Sequence, residues 1–157
     1  MTLQFRNITV TPDDPVEQWG FEGLLAAVDR GDVSDWRKIA TAVHGDPWGE
    51  VAETLEQVFA CAEDLGAVAT VRSAVALARE RAEAAERREV AETMRGYVTR
   101  SGLNQQQFAR RIGTSASRLS TYLSEKVSPS AALVVRARGV AESRSSRSVA
   151  AERHRSG

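Results

Sequence analysis

The chain has 157 residues, enough for one compact domain or two small ones. It holds no long apolar run and its start lacks the apolar core of a signal peptide, so we expect no membrane span, no membrane partner and a cytoplasmic location. The single Cys61 excludes an internal disulfide. Residues 1–66 hold thirteen acidic and four basic side chains, a net of −9, whereas residues 67–157 hold eight and seventeen, a net of +9. This asymmetry predicts two parts with different partners.

The acidic part is predicted to be a small helical domain, residues 1–66, for oligomerisation or binding of a protein partner. Residues 1–11 suggest an arm or a short edge strand. Three helices with start signals and glycine stops follow: one from the N-cap Asp14 and Pro15 to Arg30, one from Ser34 to Gly45, and one from Asp46-Pro47 to near Gly66. The residues expected inside are Trp19, Leu24, Leu25, Val28, Trp36, Ile39, Ala40, Val43, Trp48, Val51, Leu55, Val58 and Phe59. The three tryptophans are read as core, with an interaction surface as the alternative and Trp48 the most exposed.

Residues 67–89 are rich in Ala, Arg and Glu and predict a connecting helix. Val68, Val71, Val75, Ala78, Ala82 and Ala85 keep a spacing of three and four. A short coiled coil and a solvated spacer both fit this pattern. The Ser/Arg-rich residues 142–157 have few apolar side chains and predict a disordered basic tail.

Residues 90–141 predict a helical bundle that contains two short helices joined at a tight turn. Asn104 and Gln107 have the spacing of a capping box, Gly113 lies where a helix end needs a left-handed residue, and Ser115 caps the second helix. The residues expected inside are Val90, Met94, Tyr97, Val98, Phe108, Ala109, Ile112, Leu119, Tyr122, Leu123, Leu133, Val134 and Val140. A fourth helix starts at Ser128-Pro129. This arrangement is the helix-turn-helix, whose second helix enters the major groove of DNA.

The sequence resembles the Cro/repressor, or XRE-type, DNA-binding family of the lambdoid phage repressors. The resemblance covers residues 88–141 and is carried by Leu103-Asn104-Gln105, Phe108-Ala109, Ile112-Gly113, Ser115, Leu119-Ser120 and Lys126. It implies an all-α bundle that binds double-stranded DNA. A helical hairpin that only packs is the structural alternative.

The resemblance also implies which side chains contact DNA. The positions that read bases are Gln105, Ala116, Ser117, Arg118 and Thr121, and those that contact phosphates are Thr114, Ser115, Lys126 and Ser128. Arg118 is the main candidate because a guanidinium can bind guanine O6 and N7 together, with a phosphate contact as its alternative role.

Two residues depart from the family pattern, which commonly has Glu and then Gly just after the second helix. Leu123 and Glu125 stand there instead. Leu123 removes a possible ion pair with Arg95, which leaves the role of that arginine open. Glu125 would occupy a turn that favours positive φ, and would place a negative charge near the expected DNA backbone.

The sequence therefore predicts a sequence-specific transcriptional regulator that binds a pseudo-palindromic operator as a homodimer. The alternative is an antitoxin whose acidic domain binds a toxin while the other domain represses the operon. An adaptor that has lost DNA binding is a third class. Two separated histidines, one cysteine and no glycine-rich phosphate loop predict no enzyme, no metal site and no cofactor.

Overall fold

The computed structural model describes residues 2–6 and 8–155, and this part of the chain is all-α, as predicted, without a strand. Its seven α-helices are α1 (Gly20–Arg30), α2 (Val33–Gly45), α3 (Glu50–Cys61), α4 (Leu65–Ser101), α5 (Gln105–Ile112), α6 (Ala116–Leu123) and α7 (Ala131–Arg155). The chain forms two compact units, a first unit of residues 1–82 and a second unit of residues 83–157. None of the helices in the described ranges is long and apolar enough to cross a membrane.

Of the two alternatives for residues 1–11, an arm and a short edge strand, the described residues form the arm. Met1 and Asn7 lie outside the described residues. Leu3 is buried in the core of the first unit. The ring of Phe5 meets the ring of Trp19 edge to face, at 5.3 Å between centroids and 75° between planes. The arm therefore covers part of the core.

The start of the first helix differs from the prediction, because Asp14 is not its N-cap. The Asp14 carboxylate instead accepts hydrogen bonds from the Thr11 backbone N–H at 2.7 Å and the Thr11 hydroxyl at 2.9 Å, and these lower its pKa. A single 3₁₀ turn, Val16–Gln18, follows. Gly20 then has a φ of 61°, which interrupts the helical path, so α1 starts only at that residue.

The ends of the next helices depend on acidic side chains. The second helix begins at Val33, near Ser34 as predicted, and Asp32 caps it through a capping box with Asp35. The predicted third helix is shorter at both ends than expected and spans Glu50–Cys61. The Asp29 carboxylate accepts the N–H groups of Glu63 at 2.8 Å and Asp64 at 3.0 Å, and so holds the turn that separates α3 from α4.

The core of the first unit contains most of the residues expected inside. Those with under 2% exposure include Trp19, Leu24, Val28, Ile39, Val43, Leu55 and Val58. Leu25, Trp36 and Ala40 are half-buried. Trp36 donates its indole N–H to the Ala27 carbonyl at 2.9 Å, and Trp19 donates its own to the Asp14 carbonyl at 2.9 Å. Trp48, which lies before α3, is 50% exposed, so its prediction as a core residue is wrong. It is the most exposed of the three tryptophans, as predicted.

The helix α4 is continuous over 37 residues, so the predicted connecting helix and the first helix of the bundle are one element. The core of the first unit buries Val68, Val71, Val75 and Ala78. These side chains are therefore not available to form a coiled coil with another helix. Between Arg79 and Val90 no side chain is buried, and burial resumes at Ala91 and Met94.

The second unit packs the C-terminal part of α4 with α5, α6 and α7. Its buried core is Met94, Phe108, Ala109, Ile112, Leu119, Leu133 and Ala137. The other residues expected inside, Val90, Tyr97, Val98, Tyr122, Leu123, Val134 and Val140, are partly buried against it.

The structure differs from the disordered tail predicted over residues 142–157, because α7 continues through Arg155; Ser156 and Gly157 lie outside the described residues. Residues 140–155 contain no Pro and no Gly, and Ala, Arg and Glu among them favour helix. The hydroxyls of Ser143 and Ser146 donate to the carbonyls four residues earlier, at 2.8 and 3.1 Å.

The buried hydroxyl of Ser101 closes the C-terminal end of α4. Ser101 is 2% exposed; it donates to the Val98 carbonyl at 2.6 Å and accepts the Leu103 N–H at 3.1 Å. We expect Ser101→Ala to lower the free energy of unfolding by about 1–3 kcal/mol, because both backbone groups lose their partner. Urea unfolding followed by far-UV circular dichroism measures this change. Ser143→Ala, which removes an exposed hydroxyl in the same unit, should change it by less than about 0.5 kcal/mol; equal effects would contradict the prediction.

Candidate nucleic-acid interface

The helix pair α5–α6 is built by local capping interactions that match the sequence prediction. Asn104 and Gln107 form a reciprocal capping box at the start of α5. Ser115 accepts the N–H of Arg118 at 3.1 Å and caps α6. The starts of α5 and α6 are therefore fixed by hydrogen bonds between residues three positions apart.

The turn itself depends on Gly113, which has the positive φ expected of it, 81°. The Gly113 N–H bonds the Arg110 carbonyl at 3.3 Å and the Thr114 N–H bonds the Ala109 carbonyl at 2.9 Å, the two bonds of a Schellman motif. A Cβ atom at position 113 would lie 3.3 Å from a terminal nitrogen of Arg136. That guanidinium donates to the Ile112 carbonyl at 3.2 Å, so a side chain at position 113 would contact Arg136 and would also strain the left-handed backbone.

The faces of α5 and α6 that the sequence placed inside pack against the rest of the second unit. Phe108, Ala109, Ile112 and Leu119 are at most 1% exposed. Tyr122 and Leu123 are half-buried at the end of α6. This packing fixes which side of α6 is left open to solvent.

The residues predicted to contact DNA lie on α5 and α6, in the turn between them, or in the loop that follows α6. Those that are exposed are Gln105, Ala116, Ser117, Arg118, Ser115, Lys126 and Ser128, and those that are half-buried are Thr114 and Thr121. The Thr121 hydroxyl donates to the Arg118 carbonyl at 2.7 Å, which leaves its oxygen lone pairs available. Within the described residues the Arg118 guanidinium has no ion pair and no hydrogen bond. It is free to reach a ligand.

The charge around α5 and α6 is strongly positive. Residues 98–141 contain seven basic side chains and one acidic side chain, Glu125. Such a balance suits a polyanion such as the phosphate backbone of DNA. The described residues hold no group of three or more His, Cys, Asp and Glu side chains arranged for a metal ion.

Glu125 has the positive φ that the sequence anticipated, 66°. The Glu125 N–H bonds the Tyr122 carbonyl at 3.3 Å and the Lys126 N–H bonds the Thr121 carbonyl at 3.1 Å, so α6 also ends in a Schellman motif, with Glu125 at the position that glycine usually takes. A left-handed non-glycine residue costs on the order of 1 kcal/mol.

Arg88 and Arg95 of α4 are the residues of this region that sequence reasoning left without a role. Arg95 donates a hydrogen bond to the Leu123 carbonyl, at the C-terminal end of α6, where a cation is favourable. The same guanidinium lies 3.5 Å from one carboxylate oxygen of Glu125, and Arg88 lies 3.8 Å from the other. The lost pair between position 123 and Arg95 is thus replaced by contacts to a backbone carbonyl and to Glu125. The contact of Arg95 with Glu125 has no signal in the sequence, because the two residues are 30 positions apart.

Comparison with known proteins adds no relative to this description. No protein-family model matches the chain, and neither the curated proteins nor the solved structures contain a match to it.

Proposed function

We propose that the protein is a sequence-specific DNA-binding transcriptional regulator of the XRE type, which binds a pseudo-palindromic operator as a homodimer. The observation that carries the proposal is the open face of α6. Arg118 is exposed there, and its guanidinium has no partner among the described residues. The small side chains of Ala116 and Ser117 precede it in the chain. An exposed guanidinium in the first turn of α6 is suited to bidentate contact with a guanine edge.

Three further features support the same proposal. The surrounding residues are basic, which suits contacts with phosphates. The turn before α6 carries the hydroxyl groups of Thr114 and Ser115, and the loop after α6 carries that of Ser128; all three can donate to phosphate oxygens. A second copy of so small a module would double its specific contacts and would match the two-fold symmetry of a palindromic site. Such a role would be exercised in the cytoplasm.

The test is a fluorescence-anisotropy titration of the full chain at several salt concentrations. The DNA is the region upstream of the gene of this protein, together with any sequence enriched by selection from a random pool, and scrambled duplexes of the same length serve as reference. We expect a preference for one sequence over its scrambled form. Equal affinity for every duplex, after selection from the pool, would contradict sequence-specific binding.

Arg118→Ala should lower the affinity for the preferred duplex by about 1–3 kcal/mol, or roughly 5- to 150-fold, and leave scrambled DNA nearly unchanged. The physical reason is the loss of two hydrogen bonds to one base. Arg144→Ala is the matched control, because it removes the same charge from an exposed position of α7. It should weaken both duplexes equally, if at all. An equal loss of affinity for the preferred and the scrambled duplexes with Arg118→Ala would instead indicate that this arginine contacts a phosphate.

The antitoxin function is the second candidate, and the exposed Trp48 on an acidic unit favours it. Trp48 is 50% exposed, and exposed tryptophans are enriched at protein interfaces. Residues 1–82 hold fourteen acidic and seven basic side chains, which suits a basic partner. Co-expression with the product of the neighbouring gene tests it: a toxin should be neutralised by the full chain, and less well by Trp48→Ala.

A further inference from the structure

Glu125 is the only carboxylate in residues 98–141, and it lies among the residues assigned to phosphates. Lys126 follows it directly and Ser128 lies three residues later. An unscreened negative charge at this point would repel DNA. The side chains that neutralise the Glu125 carboxylate therefore affect the affinity for DNA.

Each oxygen of the Glu125 carboxylate has its own arginine. Oε1 lies 3.5 Å from Nη2 of Arg95, and Oε2 lies 3.8 Å from Nε of Arg88. The two arginines are seven residues apart on α4, so they share one face of that helix. Paired guanidinium groups of this kind are the usual protein ligands of phosphate oxygens.

The three side chains are accessible from solvent. The exposed fractions are 61% for the Arg88 side chain, 45% for Arg95 and 37% for Glu125. Exposed ion pairs are weak, and both distances are longer than those of charge-assisted hydrogen bonds. A competing anion can therefore displace the carboxylate without unfolding the turn.

We propose that Arg88 and Arg95 form a phosphate-binding site for the DNA backbone, and that Glu125 occupies this site in the DNA-free protein. The inference rests on the proposed function, because its ligand is a phosphate of bound DNA. On binding, the phosphate takes the place of the carboxylate between the two guanidinium groups. The backbone of Glu125 stays in the turn, since its Schellman bonds do not involve the side chain. The carboxylate thus lowers DNA affinity and keeps two arginines in place for the phosphate.

Glu125→Gln tests the proposal, because it removes the charge and keeps the size of the side chain. Glu142→Gln is the matched control, since it removes one negative charge from an exposed ion pair with Arg138 in the same unit. The affinity of each full-length variant for a random-sequence duplex is measured by anisotropy at several salt concentrations. We expect Glu125→Gln to bind about five- to tenfold more tightly at low salt. Its log-affinity against log-salt slope should be steeper by about one, because the site then presents one more net positive charge to the phosphates. Glu142→Gln should leave the slope unchanged.

A second measurement needs no DNA. Inorganic phosphate is titrated into the wild-type chain, into Glu125→Gln and into Arg88→Gln/Arg95→Gln/Glu125→Gln, and the arginine Nε–H resonances are followed by NMR. Phosphate should shift the Arg88 and Arg95 resonances at lower concentration in Glu125→Gln than in the wild type. In the triple variant the other arginine resonances should not respond in this range.

The two measurements separate the two proposals. Equal salt slopes for Glu125→Gln and Glu142→Gln, with no phosphate response at Arg88 and Arg95, would overturn the phosphate site. Absence of any DNA binding at low salt would overturn the DNA-binding function, and the phosphate titration alone would then decide whether the two arginines bind this anion.

Discussion

Replacing Phe108 with alanine is expected to lower the free energy of unfolding of the second unit by about 3–5 kcal/mol. Phe108 is fully buried and lies among Met94, Ile112 and Leu119, which are also fully buried. Removal of the ring leaves a cavity between helices that are tied by their caps, so the core can collapse only in part. The loss is large for a unit of this size.

The tryptophans allow this effect to be assigned to one unit. All three, Trp19, Trp36 and Trp48, belong to the first unit, whereas far-UV circular dichroism reports on both. In a urea titration, Phe108→Ala should move the dichroism transition of the second unit and leave the tryptophan emission transition in place. Val135→Ala, at a 56% exposed position of α7, should move neither by much. A change below about 1 kcal/mol for Phe108→Ala would contradict the core that the structure describes.

Replacing Trp19 with alanine should destabilise the first unit by about 3–5 kcal/mol. Trp19 is 1% exposed, and its loss removes the edge-to-face contact with Phe5 and the hydrogen bond to the Asp14 carbonyl. The N-terminal arm loses the contact of Phe5 with this ring at the same time. Emission from Trp36 and Trp48 during urea unfolding measures the change.

Trp48→Ala is the matched control for Trp19→Ala. It deletes the same side chain from a position that is 50% exposed, so we expect a loss below about 1 kcal/mol. Similar losses for the two variants would contradict the assignment of Trp19 to the core and of Trp48 to the surface.

The features that the sequence predicted well depend on near neighbours. The capping box at Asn104, the left-handed Gly113 and the cap at Ser115 each involve residues at most five positions apart. Interactions over so few residues can be predicted from the residue types and their spacing alone. The positive φ of Glu125 belongs to the same class. The helical periodicity placed Phe108 and Leu119 inside for the same reason.

The features that the sequence did not predict depend on distant contacts or on competing local bonds. The early end of α3 depends on Asp29, which bonds residues more than thirty positions later. The contacts of Glu125 with Arg88 and Arg95 connect α6 to α4 and have no signature in either segment. The first helix starts later than the sequence predicts, because the Asp14 carboxylate accepts hydrogen bonds from Thr11 and does not cap a helix. The DNA sequence that α6 would bind depends on the shape and base edges of the DNA as well as on the protein.

The division of α6 into a packed face and an open face has a consequence for how such a protein can evolve. Substitution of Ala116, Ser117 or Arg118 removes no buried contact, so it should change stability by no more than about 0.5 kcal/mol. Leu119, next to them in the chain, is fully buried and cannot vary in this way. Duplicated copies of this chain could therefore diverge at three adjacent codons with no intermediate that fails to fold, and under the proposed function such copies would bind different DNA sequences.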